Sequence, residues 1–235
     1  MEQNTSAPQK KGTGRVALPV LESLGAGLLL GGVLFLAAGR LDWPLAWAYT
    51  GISVLDSFVV LWLVSPDLLR ERSHPGPNAK QWDRVLARLT GPLGSLLLLV
   101  TAGLQVRFYG LHLFPSWLQG VGLAASVLGM GLVTWAIIVN NFFSLVVRIQ
   151  EDRGHTVVSS GPYRLVRHPG YVGGMRFGLG TPFLLGSWWA LFPAGAMVSL
   201  MVVRTVLEDK TLQEELPGYR EYAQRVRYRL VPGVW

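Results

Sequence analysis

The chain has 235 residues, half of them hydrophobic and only 15% charged, with nine tryptophans and a mean hydropathy of +0.36. Soluble domains carry about 25% charged residues, so the composition excludes an ordinary soluble fold and points to an integral membrane protein. The absence of cysteine excludes disulfides, thiolate metal sites and a cysteine nucleophile. The net charge of +7 reads as topology-setting loops that meet anionic lipid headgroups. A nucleic-acid surface is not indicated, because no basic patch is joined to a recognition motif.

Residues 1–17 are polar at first and read as a disordered cytoplasmic tail. The apolar run that follows is too long for a signal-peptide core and lacks a cleavage site, so it is read as a retained span over roughly Leu18–Ala38. Its Gly27-x-x-x-Gly31 spacing suits close approach of another helix. A turn at Arg40–Pro44 leads to a second span, Leu45–Val64, in which Asp56 must face the bundle interior. Ser65–Thr90 is a polar loop whose second half places Trp82, Val85, Leu86 and Leu89 at helical spacing, predicting a short helix lying in the interface. Third and fourth spans follow at Pro92–Leu111 and Trp117–Val139. The apolar run Tyr171–Val203 is too long for one helix and too short for two full spans; a hairpin turning near Gly186-Ser187 fits it. Glu208–Arg227 reads as an amphipathic surface helix, broken at Pro217-Gly218.

The expected fold is therefore all-α and polytopic, with four spanning helices, a C-terminal helical hairpin and a cytoplasmic surface helix. Residues 18–139 form the four-helix region and 140–235 a separate functional region. With a cytoplasmic N-terminus, every Lys and Arg except Arg40 and Arg107 falls inside, a bias far beyond what sets topology.

That orientation brings two polar clusters to one membrane face: His155–Gly174 (HTVVSSGPYRLVRHPGYVGG) and Arg204–Lys210. The four histidines, at 74, 112, 155 and 168, lack metal-pair spacing, and neither a Gly-x-Ser-x-Gly elbow nor a phosphate-binding glycine loop is present. Ser159–Pro162 forms a turn, and Pro169 directs His168 out of helical geometry and starts the next helix, whose free N–H groups suit an anion. Glu208 suits a cationic group. A pocket with an anionic and a cationic end fits an amino-acid-like cofactor; the alternative is a basic membrane-surface loop anchored by tyrosines.

Three motifs then carry a resemblance: G-P-Y-R-x-V-R-H-P-x-Y-x-G at Gly161–Gly173, R-x-x-x-E at Arg204–Glu208, and Y-x-x-Y-x-x-x-V-x-Y-R-x-x-P-G-x-W from Tyr219 to Trp235. In this order and spacing they resemble the isoprenylcysteine carboxyl methyltransferase family and its phospholipid methyltransferase relatives. The resemblance covers roughly Asn140–Trp235. It implies an integral-membrane methyltransferase that uses S-adenosylmethionine on a lipophilic acceptor. It implies that His155, Thr156, Val157 and Val158 line the cofactor, that Tyr163, His168, Pro169, Gly170 and Tyr171 complete the pocket, that Glu208 holds the cofactor's amino group and that Arg204 faces the acceptor. Apart from the resemblance, the histidine spacing gives no expectation of a metal, the Lys and Arg bias places the site at the cytoplasmic face, and the polar N-terminus without a targeting tag suits a prokaryotic inner membrane. Arg148 stands where the eukaryotic pattern has a glutamine. Three departures matter: Glu208-Asp209 replaces a Glu-Glu pair, Val121–Val139 lacks an arginine common in the family, and Arg176 adds a charge that either snorkels or enters the site.

The favoured reading is methylation of a carboxylate on an isoprenylcysteine-like small molecule. A sibling reading is N-methylation of a phospholipid headgroup, in which Glu208 or Asp209 takes the amine proton. A different class, the sterol reductases, shares a similar tyrosine-rich tail and would use NADPH. A transporter would need more polar residues near the midplane.

Overall fold

The computed structural model describes the backbone of residues 14–111 and 114–235, and side chains from residue 25 onward. His112, and the tail predicted to be disordered over residues 1–13, lie outside the described residues, as does the side chain of Arg15. The described elements are helices: α1 (Gly14–Ala38), α2 (Pro44–Leu63), α3 (Pro66–Ser73), α4 (Gln81–Thr90), α5 (Pro92–Tyr109), α6 (Ser116–Val139), α7 (Pro169–Leu185), α8 (Leu191–Glu215) and α9 (Tyr219–Arg225), with two short 3-10 turns before α7. Proline starts α2, α3, α5 and α7, where its missing N–H costs nothing and its fixed φ suits the first turn.

Pro44–Leu63, Gln81–Tyr109, Ser116–Val139 and Leu191–Glu215 are long and apolar enough to cross a membrane, and Gly25–Ala38 is a shorter apolar helix. The outward faces are apolar: Trp62 is 84% exposed and Phe192 79%. In water such surface would associate, whereas in lipid it is solvated. One core joins α1, α2, α5 and the α7–α8 pair around Leu34, Trp43, Tyr49, Leu99 and Leu184. A second sits at the polar end, where Ala136, Tyr163, Leu216, Tyr219 and Tyr222 meet.

Helices α1 and α2 and the hairpin occupy the stretches that the hydropathy pattern marks, but the described apolar part of α1 is the shorter Gly25–Ala38, and the hairpin's second arm, α8, is itself long enough to span. The hairpin turns at Gly186, whose φ of +69° closes α7. Gln105 of α5 holds this turn by accepting from the Ser187 hydroxyl (2.7 Å) and the Trp189 N–H (2.8 Å). Two expectations change. The surface helix predicted from Glu208 is instead the end of α8, which runs unbroken through Arg204 and Glu208 to Glu215; buried Thr205, Asp209 and Thr211 give its polar half an inward face. The break at Pro217-Gly218 is present, and only Tyr219–Arg225 follows as a separate helix. The helix predicted to lie in the interface, α4, runs into α5 across Gly91 alone. Its buried Asp83 turns it toward α8, and Val85 and Leu89 are left exposed.

Two close helix contacts depend on small residues. Gly31 of α1 takes Thr50 of α2, as the Gly-x-x-x-Gly spacing predicts. The tighter seam joins α6 to α7: a Cβ at Gly122 would come within 2.2 Å of the Leu184 nitrogen, and one at Gly129 within 2.6 Å of the Phe177 nitrogen. Backbone atoms cannot rotate away, so Gly129→Ala should lower stability by about 1–3 kcal/mol. Gly131→Ala, whose Cβ meets nothing within 4 Å, should be neutral or slightly stabilising. Thermal unfolding of both variants in one detergent checks this; equal midpoints would contradict the tight seam.

Candidate active site

Three separate segments converge at the polar end of the bundle. The first is the extended loop after α6. Asn140 caps its start by accepting the Phe142 N–H (2.9 Å), and Gln150 donates to the Phe142 carbonyl (2.7 Å), folding 142–150 into a closed loop. Its far end turns at Glu151–Arg153 and places His155 against Phe142, ring centroids 4.6 Å apart. The second is the Gly161–Arg164 turn and the start of α7. The third is α8 from Arg204 to Leu212, followed by α9.

They enclose a cavity of about 800 Å³ including its open mouth. Arg148, His155, Thr156, Val157, Val158, Tyr163, His168, Gly170, Tyr171, Arg204 and Glu208 all line it; Pro169 is buried behind the lining. The sequence reading missed Phe142, Phe143, Leu212, Tyr219 and Tyr222 as lining residues; the two tyrosines stand in the tail motif, which was the available signal. Arg176 is exposed on α7 and lies outside this lining.

Asp209 anchors the floor. It is fully buried and accepts from Arg167 (2.7 and 3.0 Å), Arg229 (2.9 Å), Gln213 (2.7 Å) and the Tyr219 hydroxyl (3.1 Å), with His168 Nε2 at 3.3 Å. Arg167 also donates to the carbonyls of Val226 and Arg227. The N–H groups of Arg167 and His168 donate to the carbonyls of Tyr228 and Arg229, so the tail lies beneath the Arg-His-Pro turn. A carboxylate so fully engaged is no proton acceptor; Asp209, weighed above as a base, is structural. Tyr222 donates to the Tyr163 carbonyl (2.7 Å). Burial pushes both phenols well above the usual tyrosine range, so they act as neutral hydrogen-bonding groups.

Asp83 was missed altogether. It is fully buried, pairs with Arg204 at 2.6 and 2.9 Å, and accepts the Val147 N–H at 2.6 Å. Arg204 also donates to the Leu145 carbonyl (2.7 Å) and lies over the Tyr171 ring (5.2 Å). It is thus fixed at the cavity wall. Arg148 is likewise engaged, by Glu71 (2.7 and 2.8 Å) and Asp152 (2.9 Å). Burial alone would raise the Glu71 carboxyl; hydrogen bonds and charge from Arg148 outweigh it and hold the group below its ordinary range.

Glu208 differs from the other two acids. It accepts from the Tyr171 hydroxyl, and among the described residues it has no ion-pair partner. It faces the cavity as a carboxylate free to meet a cation. Tyr171 stacks on His168 at 5.7 Å. Phe143, Ser144, Val146, Gly170, Tyr171 and Arg204 also line a second, wider cavity that adjoins the first. The two spaces therefore share one wall. Among the described residues no three His, Asp or Glu side chains converge on a metal-binding point.

The fold and the site define a polytopic helical membrane protein with a polar pocket built on a hairpin. Comparison with known proteins gives that class a family. A family model described as Phospholipid methyltransferase matches residues 117–217. The protein-S-isoprenylcysteine O-methyltransferase of Mus musculus is 31% identical over 119 residues, 47% of this chain and 40% of that one. The protein-S-isoprenylcysteine O-methyltransferase B of Arabidopsis thaliana is 30% identical over 118 residues, which cover 57% of its length. The chain thus spans about half the length of these relatives. The cobalt-zinc-cadmium resistance protein CzcN of Cupriavidus metallidurans is 30% identical over 164 residues, 65% of this chain and 68% of that one. Among solved structures, the eukaryotic intramembrane Ras methyltransferase ICMT (isoprenylcysteine carboxyl methyltransferase) superposes with a TM-score of 0.51 at 17% identity, covering 94% of this chain and 96% of that chain. The chain belongs to the isoprenylcysteine carboxyl methyltransferase and phospholipid methyltransferase family.

Two outcomes follow from this geometry. Asp83→Ala strands the Arg204 guanidinium in a buried position and should cost about 3–5 kcal/mol. Lys80→Ala, which breaks the partly exposed Lys80–Glu215 pair (2.6 Å), should cost no more than about 1 kcal/mol. Chemical unfolding in detergent separates the two; comparable losses would contradict the role given to Asp83. The second outcome concerns pH. Burial, then the charges of Arg148 and Arg153, lower the His155 pKa from 6.5 to about 4. Its Nδ1 accepts the Gln150 N–H at 3.3 Å, so protonation there breaks a hydrogen bond. The folded loop thus binds fewer protons than an opened one. Its stability is fully present above pH 6.5 and is lost as pH falls toward 4. The ring resonances of His155 should titrate near pH 4, and His155→Gln should remove this part of the pH dependence of unfolding.

Proposed function

We propose that the protein is an S-adenosylmethionine-dependent methyltransferase acting on a lipophilic acceptor, of which a carboxylate on an isoprenylcysteine-like small molecule is the favoured class. The observation that carries the reading is Glu208: a cavity-facing carboxylate without an ion-pair partner among the described residues, on the wall of a pocket formed by the three motif segments. The residues fit the cofactor. Glu208 suits its ammonium group. The His155–Val158 segment offers backbone groups and apolar side chains to the adenosine, and Tyr163, His168 and Tyr171 offer aromatic faces that suit a sulfonium. When bound, S-adenosylmethionine supplies an electrophilic methyl group.

The protein's own contribution is positioning and exclusion of water. Pro169 and Gly170 begin α7 at the pocket wall and set Tyr171 against Glu208. Arg204, immobilised by Asp83 and Leu145, presents positive charge to the adjoining cavity, where the acceptor would sit. An ionised carboxylate acceptor needs no base, which accords with a site whose other acids are already engaged. The concentration of basic residues at one end of the helices supports a cytoplasm-facing site in a prokaryotic inner membrane, with membrane lipid as the medium through which the acceptor arrives.

Calorimetry on detergent-purified protein tests the reading. S-adenosylmethionine should bind, and Glu208→Ala should weaken it by about 10- to 100-fold, the loss expected for a charge-assisted hydrogen bond. Unchanged affinity in the variant would remove the role of Glu208, and binding of NADPH instead would move the protein to the reductase class.

A further inference from the structure

The two cavities differ in charge. The cofactor pocket sets Glu208 among Arg148, Arg167 and Arg204; the wider cavity is lined by Arg72, Arg84, Arg88 and Arg204 and by no carboxylate. Arg204 is paired with Asp83. Arg84 and Arg88 are exposed on α4, without ion-pair partners among the described residues. Arg72 is the unusual group. It reaches inward from α3, its guanidinium carbon 5.3 Å from the centre of the Phe143 ring. Its Nη1 is the one buried side-chain polar atom among the described residues with no hydrogen-bond partner. Asp56 attracts it across the bundle but forms no ion pair with it, and instead accepts from the Thr134 hydroxyl.

A buried guanidinium N–H left unpaired is costly, and native structures rarely retain one without a reason. Arg72 lines a cavity that combines Arg84, Arg88, His74, Thr90 and Ser144 with an apolar part formed by Ala87, Pro92, Val133, Leu145 and Met201. Phe143, under the guanidinium, also lines the cofactor pocket. An anion accepting from the Arg72 guanidinium would share the cavity with Tyr171 and Arg204. The apolar remainder would lie along the cavity, with Arg84 and Arg88 at its exposed rim.

We infer that Arg72 is the specificity-determining residue of the acceptor cavity, and that it selects an anionic lipophilic acceptor, a carboxylate, over an amine. This rests on the methyltransferase reading but extends it: the arginine-lined cavity repels an ammonium headgroup, which separates O- from N-methylation. A guanidinium can also receive a carboxylate in two-point geometry that an amine cannot use. The same chemistry would hold a lipid phosphate, so the test must separate the two.

The experiment uses full-length protein in detergent, first titrated with S-adenosylmethionine and then, with S-adenosylhomocysteine present to prevent turnover, with three probes: N-acetyl-S-farnesylcysteine, its neutral carboxamide, and dioleoylphosphatidylglycerol. The acid should bind at least about 10-fold more tightly than the carboxamide. Arg72→Gln should abolish that preference while S-adenosylmethionine affinity stays unchanged, which also shows the variant to be folded; Arg72→Lys should retain part of it. An acid-over-amide preference that survives Arg72→Gln overturns the inference. So does phosphatidylglycerol binding more tightly than the acid in an Arg72-dependent way, which would make the cavity a lipid site. Failure of S-adenosylmethionine to bind the unaltered protein would instead remove the methyltransferase reading, and Arg72-dependent binding of the acid would stand apart from it.

Discussion

The polar end of this molecule depends on one carboxylate. Asp209 is buried among side chains from the α7 leader, from its own helix, from α9 and from the tail, and each donates to it. Its charge makes the burial of Arg167 tolerable, and Arg167 in turn ties down the carbonyls of Val226 and Arg227. Removing either partner would leave a charge in a place water cannot reach, a penalty of about 3–5 kcal/mol. The interaction therefore specifies an arrangement more than it adds stability: the Arg-His-Pro turn, the second arm of the hairpin and the tail can meet in one way only.

Asp83 plays the matching part on the opposite wall. It reaches Arg204 across a gap of 121 residues in sequence and at the same time fixes the 142–150 loop through Val147. Acids of the same type thus do different things a few ångströms apart. Asp83 and Asp209 are neutralised by arginine and set the walls, while Glu208, adjacent to Asp209 in sequence but on another face of α8, keeps its charge toward the cavity.

Much of this was legible in the sequence, for reasons that can be stated. The spans stand out because lipid demands apolar side chains on every outward face, and the hairpin turn because Gly186 interrupts the run. The segment from His155 to Tyr171 stands out because polar residues are rare in such a chain. Asp83 and Glu71 were not legible: nothing around them differs from an ordinary interfacial loop, and their partners are Arg204 and Arg148, far along the chain. The length of α8 was misread because helical spacing continues while its surroundings change. Beyond Val203 the inward face turns polar, and hydropathy alone registers that as an end. Arg148 looked like a ligand-facing cation, and its carboxylate partners could be found only in space.

The position of Arg229 has a consequence for how the protein is made. The helices from α1 to α8 can enter the membrane and pack as soon as they leave the ribosome, since the α6–α7 seam and the main core need nothing that follows. Asp209, however, waits for Tyr219 and Arg229. Until those residues are synthesised, the carboxylate and Arg167 face an open, hydrated groove. The pocket is thus the last part of the molecule to close, and a chain interrupted before Arg229 would be membrane-inserted yet lack a finished site.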